Sequence, residues 1–482
     1  MKMVKSLLLG AAAGVVGVAG AQAADLPVKA KPVQYVKICS LYGAGFYYMP
    51  GTDTCIKIGG FVRAEVNYLA GGSYSVHQTG AFGAPSDGNN EFWRTRAGVT
   101  LDTRSQTEYG TLRSYFIMAT TSDFDSYGNS SVTAGVLSPG TYGGTGVGNN
   151  PGGTGRAPYT RLWSNAAFIQ FAGFTAGKTA SFFDFDLQPY SNQTNFWSSN
   201  AAGGGIHVFA YTAQFGNGLS ASISVEDPGF RRLSITDAPA AATVAAPAAG
   251  WQYGNVEVPD VVGNLRIDQA WGSAQVMGAY HQVRGVNHLT ANTTQTTAEA
   301  SGWAFGAGAK FNVPMLGKGD YVQAQFTYSK GALLYAGSGM NGGFAATNSD
   351  GTVNYSGPAF DAVATTAAGN LELTTAWSIT GGFEHFWNTQ WKTSLYGAYG
   401  EVSYSDAAAA VIRPATAAAG SSANWNFAQI GSRTTWTPVA NLDLSLEAMY
   451  NRLDGAWATG TAQFGDKDWV SGIFRVQRNF YP

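Results

Sequence analysis

The sequence predicts an all-β protein, a 16-stranded antiparallel transmembrane β-barrel, and three observations lead there. Many short segments alternate apolar and polar residues one by one, the period of a strand whose faces meet different solvents. The connections between them alternate long and short, so one end of a meander is elaborated and the other trimmed. Charged residues reach only 12% while aromatics reach 13% and Gly accounts for 63 of 482. A chain so poor in helix-surface residues and so rich in strand and turn formers has little use for helices.

The first element is a leader. In "MKMVKSLLLGAAAGVVGVAGAQA", Lys2 and Lys5 precede an apolar run from Leu7 to about Ala19 and then Ala21-Gln22-Ala23. That is a secretory signal peptide over 1–23, with cleavage expected after Ala23. The run is shorter than the roughly 20 residues that a spanning helix needs. Removing its two lysines takes the formal charge from -2 to -4. Residues 24–55 then form a periplasmic-side segment. Its Cys39 and Cys55, in an exported chain with no His or further Cys nearby, predict a disulfide rather than a metal pair.

The barrel is expected over 56–482. In "IKIGGFVRAEVNY" Ile56, Ile58, Val62, Ala64 and Val66 share one face and Lys57, Arg63, Glu65 and Asn67 the other. "EFWRTRAGVTLDTR" opposes Trp93, Ala97, Val99 and Leu101 to Arg94, Arg96, Asp102 and Arg104. In "TLRSYFIMA" Arg113 and Tyr115 lie on the polar side. "LSASISVE", "YVQAQFTYS" and "NLDLSLEAMYNR" alternate cleanly, and the last strand opposes Val470, Phe474, Val476 and Phe480 to Ser471, Arg475, Gln477 and Asn479. "LWSNAAFIQF" (162–171) has an ambiguous register. Starts fall near 56, 91, 109, 161, 173, 206, 218, 260, 271, 301, 319, 370, 389, 424, 440 and 467.

An even strand count with short turns at one end and long loops at the other is the pattern of bacterial outer-membrane barrels. Closure leaves no edge, which hydrocarbon requires because each unpaired backbone group there costs several kcal/mol. The leucines of 442–446 therefore face lipid, and Asp443, Ser445 and Glu447 face a lumen expected to hold water, since sixteen strands are too many for their own side chains to fill. Tyr68, Trp163, Trp387, Trp391, Trp436, Trp469 and Phe480 lie near predicted strand ends, where amphipathic rings settle at membrane interfaces.

A channel selects by width and by charge at its narrowest point. Arg63, Arg94, Arg96 and Arg113 share the lumen parity of the first three strands and form a candidate basic ladder. The third long loop, 181–205, carries Asp184 and Asp186 among Phe182, Phe183, Phe185, Phe196 and Trp197. Those rings serve either to anchor the loop or as a track for one solute class.

"VKICSLYGAGFYYMPGTDTCIKIGGFVRAEVNY" (36–68), "FTAGKTASFFDF" (174–185) and "FRVQRNF" (474–480) resemble the opening, the lead-in to the constriction loop and the closing strand of the alphaproteobacterial porin family. The resemblance implies a homotrimeric general-diffusion porin of the outer membrane, bordered by lipid and lipopolysaccharide and passing small hydrophilic solutes and ions. Its third loop would fold inward. Asp184 and Asp186 would supply the acidic side of the constriction, and Arg63, Arg94, Arg96 and Arg113 the basic side. One departure is that Tyr481 and Pro482 follow the terminal aromatic Phe480.

An enzyme would need a nucleophile, a base and an orienting group. His77, His207, His281, His288 and His385 are scattered and form no such constellation. An adhesin would use the Gly/Ala/Ser/Thr-rich loops at 121–159, 227–259 and 332–369, which read more simply as a solvated rim. Dinucleotide and phosphate-loop fingerprints, metal spacings and nucleic-acid-binding basic patches are absent from the sequence, so no cofactor and no nucleic acid are expected.

Overall fold

The computed structural model describes residues 38–69, 91–125, 159–193, 196–199, 205–237, 250–287, 296–340, 344–347, 354–357, 359–366, 369–412, 423–459 and 464–480. The leader 1–23, the overhang Tyr481–Pro482, His77 and His288 lie outside them.

Sixteen wall strands follow one another: β1 (Cys55–Leu69), β2 (Glu91–Thr107), β3 (Gly110–Asp125), β4 (Tyr159–Trp163 and Ala167–Phe171), β5 (Phe174–Thr179), β6 (Ile206–Gly216), β7 (Leu219–Glu226) and β8 (Asp260–Gln269), then β9 (Gly272–Asn287), β10 (Thr296–Asn312), β11 (Tyr321–Lys330), β12 (Thr375–Phe386), β13 (Trp391–Ser403), β14 (Trp425–Val439), β15 (Leu442–Thr459) and β16 (Phe464–Asn479). Each pairs antiparallel with its neighbours in sequence, and β16 pairs with β1 from Phe61↔Asn479 to Leu69↔Ser471, which closes the barrel. Every strand begins within about five residues of its expected start.

The faces are inverted relative to a water-soluble protein. Leu446 is 66% exposed and its neighbour Glu447 only 1%. Val62, Trp93, Met118, Phe209, Phe305 and Leu395 are likewise exposed, while Glu65, Arg94, Gln275, Gln325, Ser394 and Asn451 are buried. Such a sheet is stable only where its outer surface meets something as apolar as itself. Among the described residues no helix is long and apolar enough to cross a membrane.

Turn chemistry explains the trimmed end. Asn217 and Gly218 between β6 and β7 both have positive φ, 49° and 75°, the primed turn that matches strand twist. A Cβ on Gly218 would stand 1.9 Å from the carbonyl oxygen of Asp268, so no other residue fits. The opposite end carries the connections 180–205, 227–259, 331–374 and 404–424. The expected alternation weakens late in the chain: between Thr459 and Phe464, at the elaborated end, only 460–463 intervene.

The ambiguous register of 162–171 has a physical cause. β4 is interrupted at Ser164–Ala166, where the Ala166 carbonyl accepts the Ile117 amide at 2.9 Å. The outward parity flips across the break, from Leu162 (60% exposed) to Ile169 (53%). Trp163 consequently turns to the polar face, its Nε1 donating to Thr121 Oγ1 at 2.7 Å, and is not the interface aromatic expected of it. Tyr68, Trp387, Trp391, Trp436 and Phe480 do face outward. The side chain of Trp469 lies outside the described residues.

Cys39 and Cys55 are joined by a disulfide. It ties residues 38–54, with Tyr47–Tyr48 paired to Ile56–Cys55, to the entry of β1, where Tyr42, Phe46 and Tyr48 form a small core.

The interior is not uniformly wet. At the elaborated end Phe196, Trp197, Leu333, Leu334 and Met340 from the connections pack on Ala376, Val402, Trp425, Phe427 and Leu453 from the walls of β12–β15. The sequence reading, which left this space to water, did not anticipate that core.

Candidate functional site

After β5 the chain leaves the wall, and its described residues 181–193 and 196–199 run along the polar face of β7 and of β11–β16 without regular strand or helix. Irregular backbone cannot satisfy its own amides, and here wall side chains do it. Glu226 of β7 accepts the Phe182 amide at 2.9 Å and the Ser181 hydroxyl at 2.7 Å. The Gln325 carbonyl on β11 accepts the amides of Phe185 and Asp186 at 3.0 and 2.9 Å. Glu447 on β15 accepts Ser191 Oγ at 2.9 Å and the amides of Asn192 and Gln193 at 2.8 and 3.2 Å, and also the Tyr396 hydroxyl. Gln429 on β14 accepts the Phe196 amide at 2.7 Å, and Trp197 Nε1 donates to the Phe427 carbonyl at 2.6 Å.

The aromatic rings of this segment are anchors. Phe183, Tyr190, Phe196 and Trp197 are all fully buried. Wall glycines make the seats: a Cβ on Gly308 would lie 2.3 Å from the Phe185 ring, on Gly382 2.7 Å from Tyr190, and on Gly400 2.6 Å from Trp197.

Asp184 and Asp186 both lie within the segment but face protein rather than open lumen. Asp184 accepts from Arg231 Nη2 at 3.2 Å, and both side chains are essentially inaccessible. Burial pushes the Asp184 carboxyl up to about 6, against the opposing pull of Arg231. Arg231 also donates to the carbonyls of Leu334 and Ser199 and covers the Tyr335 ring at 4.4 Å, which joins three connections at one guanidinium. Asp186 is raised by burial as well, against bonds from the Tyr190 hydroxyl, the Gln188 amide (2.9 Å) and Gln323 Nε2 (3.0 Å).

The four wall arginines divide into two tiers. Across the closing seam Arg475, Glu65 and Arg94 are successive strand partners, and on the adjacent inward-facing rung so are Gln477, Arg63 and Arg96. Glu65 accepts from Arg475 Nε at 2.8 Å and Arg94 Nη1 at 3.4 Å. Arg63 Nε donates to Gln477 Oε1 at 2.7 Å, and Arg96 lies over the Trp163 ring at 5.9 Å. Arg113 belongs to the second tier, toward the trimmed end. There it shares Asp102 with Arg104, through contacts of 2.8–3.1 Å, and donates to Gln170 Oε1 at 3.0 Å. Eight residues of β2 separate Arg96 from Arg104, about 26 Å along the strand.

Glu65 and Arg475 have the right parity in sequence, but their meeting is visible only once the first and last strands are paired. Arg475 continues to Asn192 Oδ1 at 2.7 Å, so the tip of the segment touches the arginine tier. Among the described residues no group of His, Cys, Asp and Glu could hold a metal ion.

The family described as Porin subfamily matches residues 25–473. Porin Omp2b of Brucella suis biovar 1 is 32% identical over 282 residues, 58% of this chain and 66% of that one, and Porin Omp2b of Brucella melitensis biotype 1 is 31% identical over the same span. The chain thus matches just under two thirds of the length of these relatives. Among solved structures, the outer membrane channel DcaP of Acinetobacter baumannii aligns with a TM-score of 0.54 over 90% of this chain and 99% of its own, at 16% identity, a likeness of fold alone.

Proposed function

The chain belongs to the porin family, and from that membership we propose that it forms a water-filled passage through the bacterial outer membrane for passive diffusion of small hydrophilic solutes and ions. The observation that carries this reading is the inversion of the closed barrel: outward side chains such as Leu446 are greasy and exposed, while inward ones such as Glu447 and Arg94 are polar. Segment 181–199 is proposed to narrow the lumen as its third loop, since its partners all have inward parity. Arg63, Arg94 and Arg96 supply the basic wall beside it. Asp184 and Asp186 take a holding role, because their carboxylates are spoken for inside the protein. Residues 1–23 are proposed as the export leader and 24–55 as the periplasmic lead-in that the disulfide fixes.

Membership points to a channel rather than an enzyme. Assembly as a homotrimer is part of the proposal, as is a rim in contact with lipopolysaccharide. The test is conductance of the purified, refolded protein in a planar bilayer. Insertion events made of three equal steps are expected. Folded protein that inserts and passes no current would end the channel reading, and single unlinked steps would end the trimer alone.

A further inference from the structure

Residues 38–54 precede the first wall strand, yet the lobe they form lays its rings against the inward face of the barrel. At the trimmed end Cys55, Arg104 and Arg113 are successive strand partners across β1–β3, and on the adjacent inward-facing rung so are Lys57, Asp102 and Tyr115. The Arg104 guanidinium sits 4.8 Å from the Phe46 ring centroid and 5.6 Å from that of Tyr42, within reach of cation–π attraction. The two rings meet edge to face at 5.9 Å, so they form a corner around it. Lys57 Nζ donates to the Ala44 carbonyl at 3.3 Å, and Thr54 Oγ1 is hydrogen-bonded to Ser105 Oγ at 3.0 Å.

The lobe is built to stay in place. The Cys39 amide donates to the Phe46 carbonyl at 2.9 Å and the Met49 amide to the Thr54 carbonyl at 2.8 Å. Tyr47–Tyr48 pair with Ile56–Cys55, and Cys39 and Cys55 are at most 1% exposed. A disulfide so buried is shielded from thiol exchange and acts as a permanent tie. Closing a loop over a separation of 16 residues, it should lower the population of a detached lobe by on the order of a hundredfold.

Arg104 is thereby fixed from two sides. Phe46 and Tyr42 hold the face of the guanidinium, and Asp102 takes its edge, from Nε at 3.1 Å and Nη2 at 2.8 Å. The same carboxylate takes Nε and Nη2 of Arg113 at 3.0 Å each. A planar fork binds a carboxylate this way only in one orientation, and the rings supply that orientation for Arg104. Its side chain is still 27% exposed, so it meets water at the mouth.

We propose that Tyr42 and Phe46 are positioning residues of the passage: the disulfide-tied lobe is its inner lip, and through those rings it fixes Arg104, which acts on permeating ions at the trimmed end. This deepens the channel reading and rests on it. Ion preference at that mouth then depends on a segment that contributes no wall strand.

The experiment is a double-mutant cycle on the intact refolded protein in planar bilayers. It is run under a KCl gradient and read as the chloride-to-potassium permeability ratio. At about 0.1 M salt R104S should lower the ratio about twofold, the effect of removing one partly screened charge from a water-filled mouth. F46A should shift it the same way by a smaller factor, since the guanidinium loses its fixed place, and in R104S/F46A the loss of the ring should add nothing. F46Y, which keeps the ring, should match wild type, whereas F46L, which keeps apolar volume alone, should match F46A. C39S/C55S should shift the ratio as F46A does and speed amide exchange over 38–54 with the wall strands unchanged. A wild-type ratio in R104S, an F46A effect undiminished in R104S, F46L indistinguishable from F46Y, or a wild-type ratio in C39S/C55S overturns the inference while the channel stands. Folded protein without any conductance steps overturns the channel reading beneath it.

Discussion

Opposite arcs of the same cylinder use inward-facing polar residues to contrary ends. From β7 to β15 a carboxylate or amide on the wall is a backbone acceptor: Gln325, Gln429 and Glu447 replace the ladder partners that segment 181–199 lacks. From β16 to β4 the comparable positions hold arginines that bond to other wall side chains, Arg94 and Arg475 to Glu65, Arg63 to Gln477 and Arg113 to Asp102. The difference teaches that polarity alone does not mark a pore lining. A buried polar side chain that satisfies a loop serves folding, and a half-exposed one beside water is free to serve permeation.

The sharpest way to break this contrast is Glu447→Ala. It strands three donors, the amides of Asn192 and Gln193 and the Tyr396 hydroxyl, at about 1–3 kcal/mol for each one left unpaired, while Ser191 Oγ keeps the Gln193 carbonyl at 2.5 Å. Segment 181–199 should become protease-sensitive and the conductance noisy and larger. A quiet channel of wild-type size would show that the wall does not hold the segment.

Next in size is Trp197→Ala, which removes a fully buried ring from the core at the elaborated end at about 3–5 kcal/mol. The midpoint of heat-induced unfolding on unboiled gels should fall. No shift would mean the core adds little to a barrel already closed.

Asp184 gives a pH test. Its carboxyl titrates at about 6 in the fold against an ordinary 3.8, so the folded state binds its proton more tightly than the unfolded chain. The contribution is fully present below about pH 4 and is lost as pH rises through about 6. Protease resistance of the wild type relative to D184N should therefore grow on acidification from pH 7 to pH 4. A constant difference would show that burial does not govern this group.

Arg113→Ser should be smallest in stability, about 1 kcal/mol or less, because the guanidinium is 27% exposed and Arg104 remains on Asp102. Its effect should instead appear in the low-salt permeability ratio. A large loss of stability with no change in permeability would move the second tier from the passage to the scaffold.

The fold was legible because the alternation is strict wherever a strand has two solvents, as in Leu446 and Glu447. It failed at Trp163, where a three-residue break flips parity. The arginine cluster was half legible: parity put Arg63, Arg94 and Arg96 on one face, but their meeting with Arg475 needed the register of strands some 400 residues apart. Parity also grouped Arg113 with residues on a distant tier. Asp184 and Asp186 carried a signal of their own, since Phe182, Phe183 and Phe185 around them indicate burial. Glu447 as an anchor was beyond reach, because its partners in the segment lie 254–256 positions away.

At the seam the Phe480 amide donates to the Gly60 carbonyl at 2.9 Å, and any Cβ on Gly60 would lie 2.5 Å from the Phe480 ring. The founding strand is thus shaped to receive the final one. Until the ribosome and export machinery have delivered the whole polypeptide, both margins of the sheet stay open and sticky. Zipping them together is a one-time event late in biogenesis, and whatever chaperones the half-made sheet must hold two raw hems apart from their neighbours.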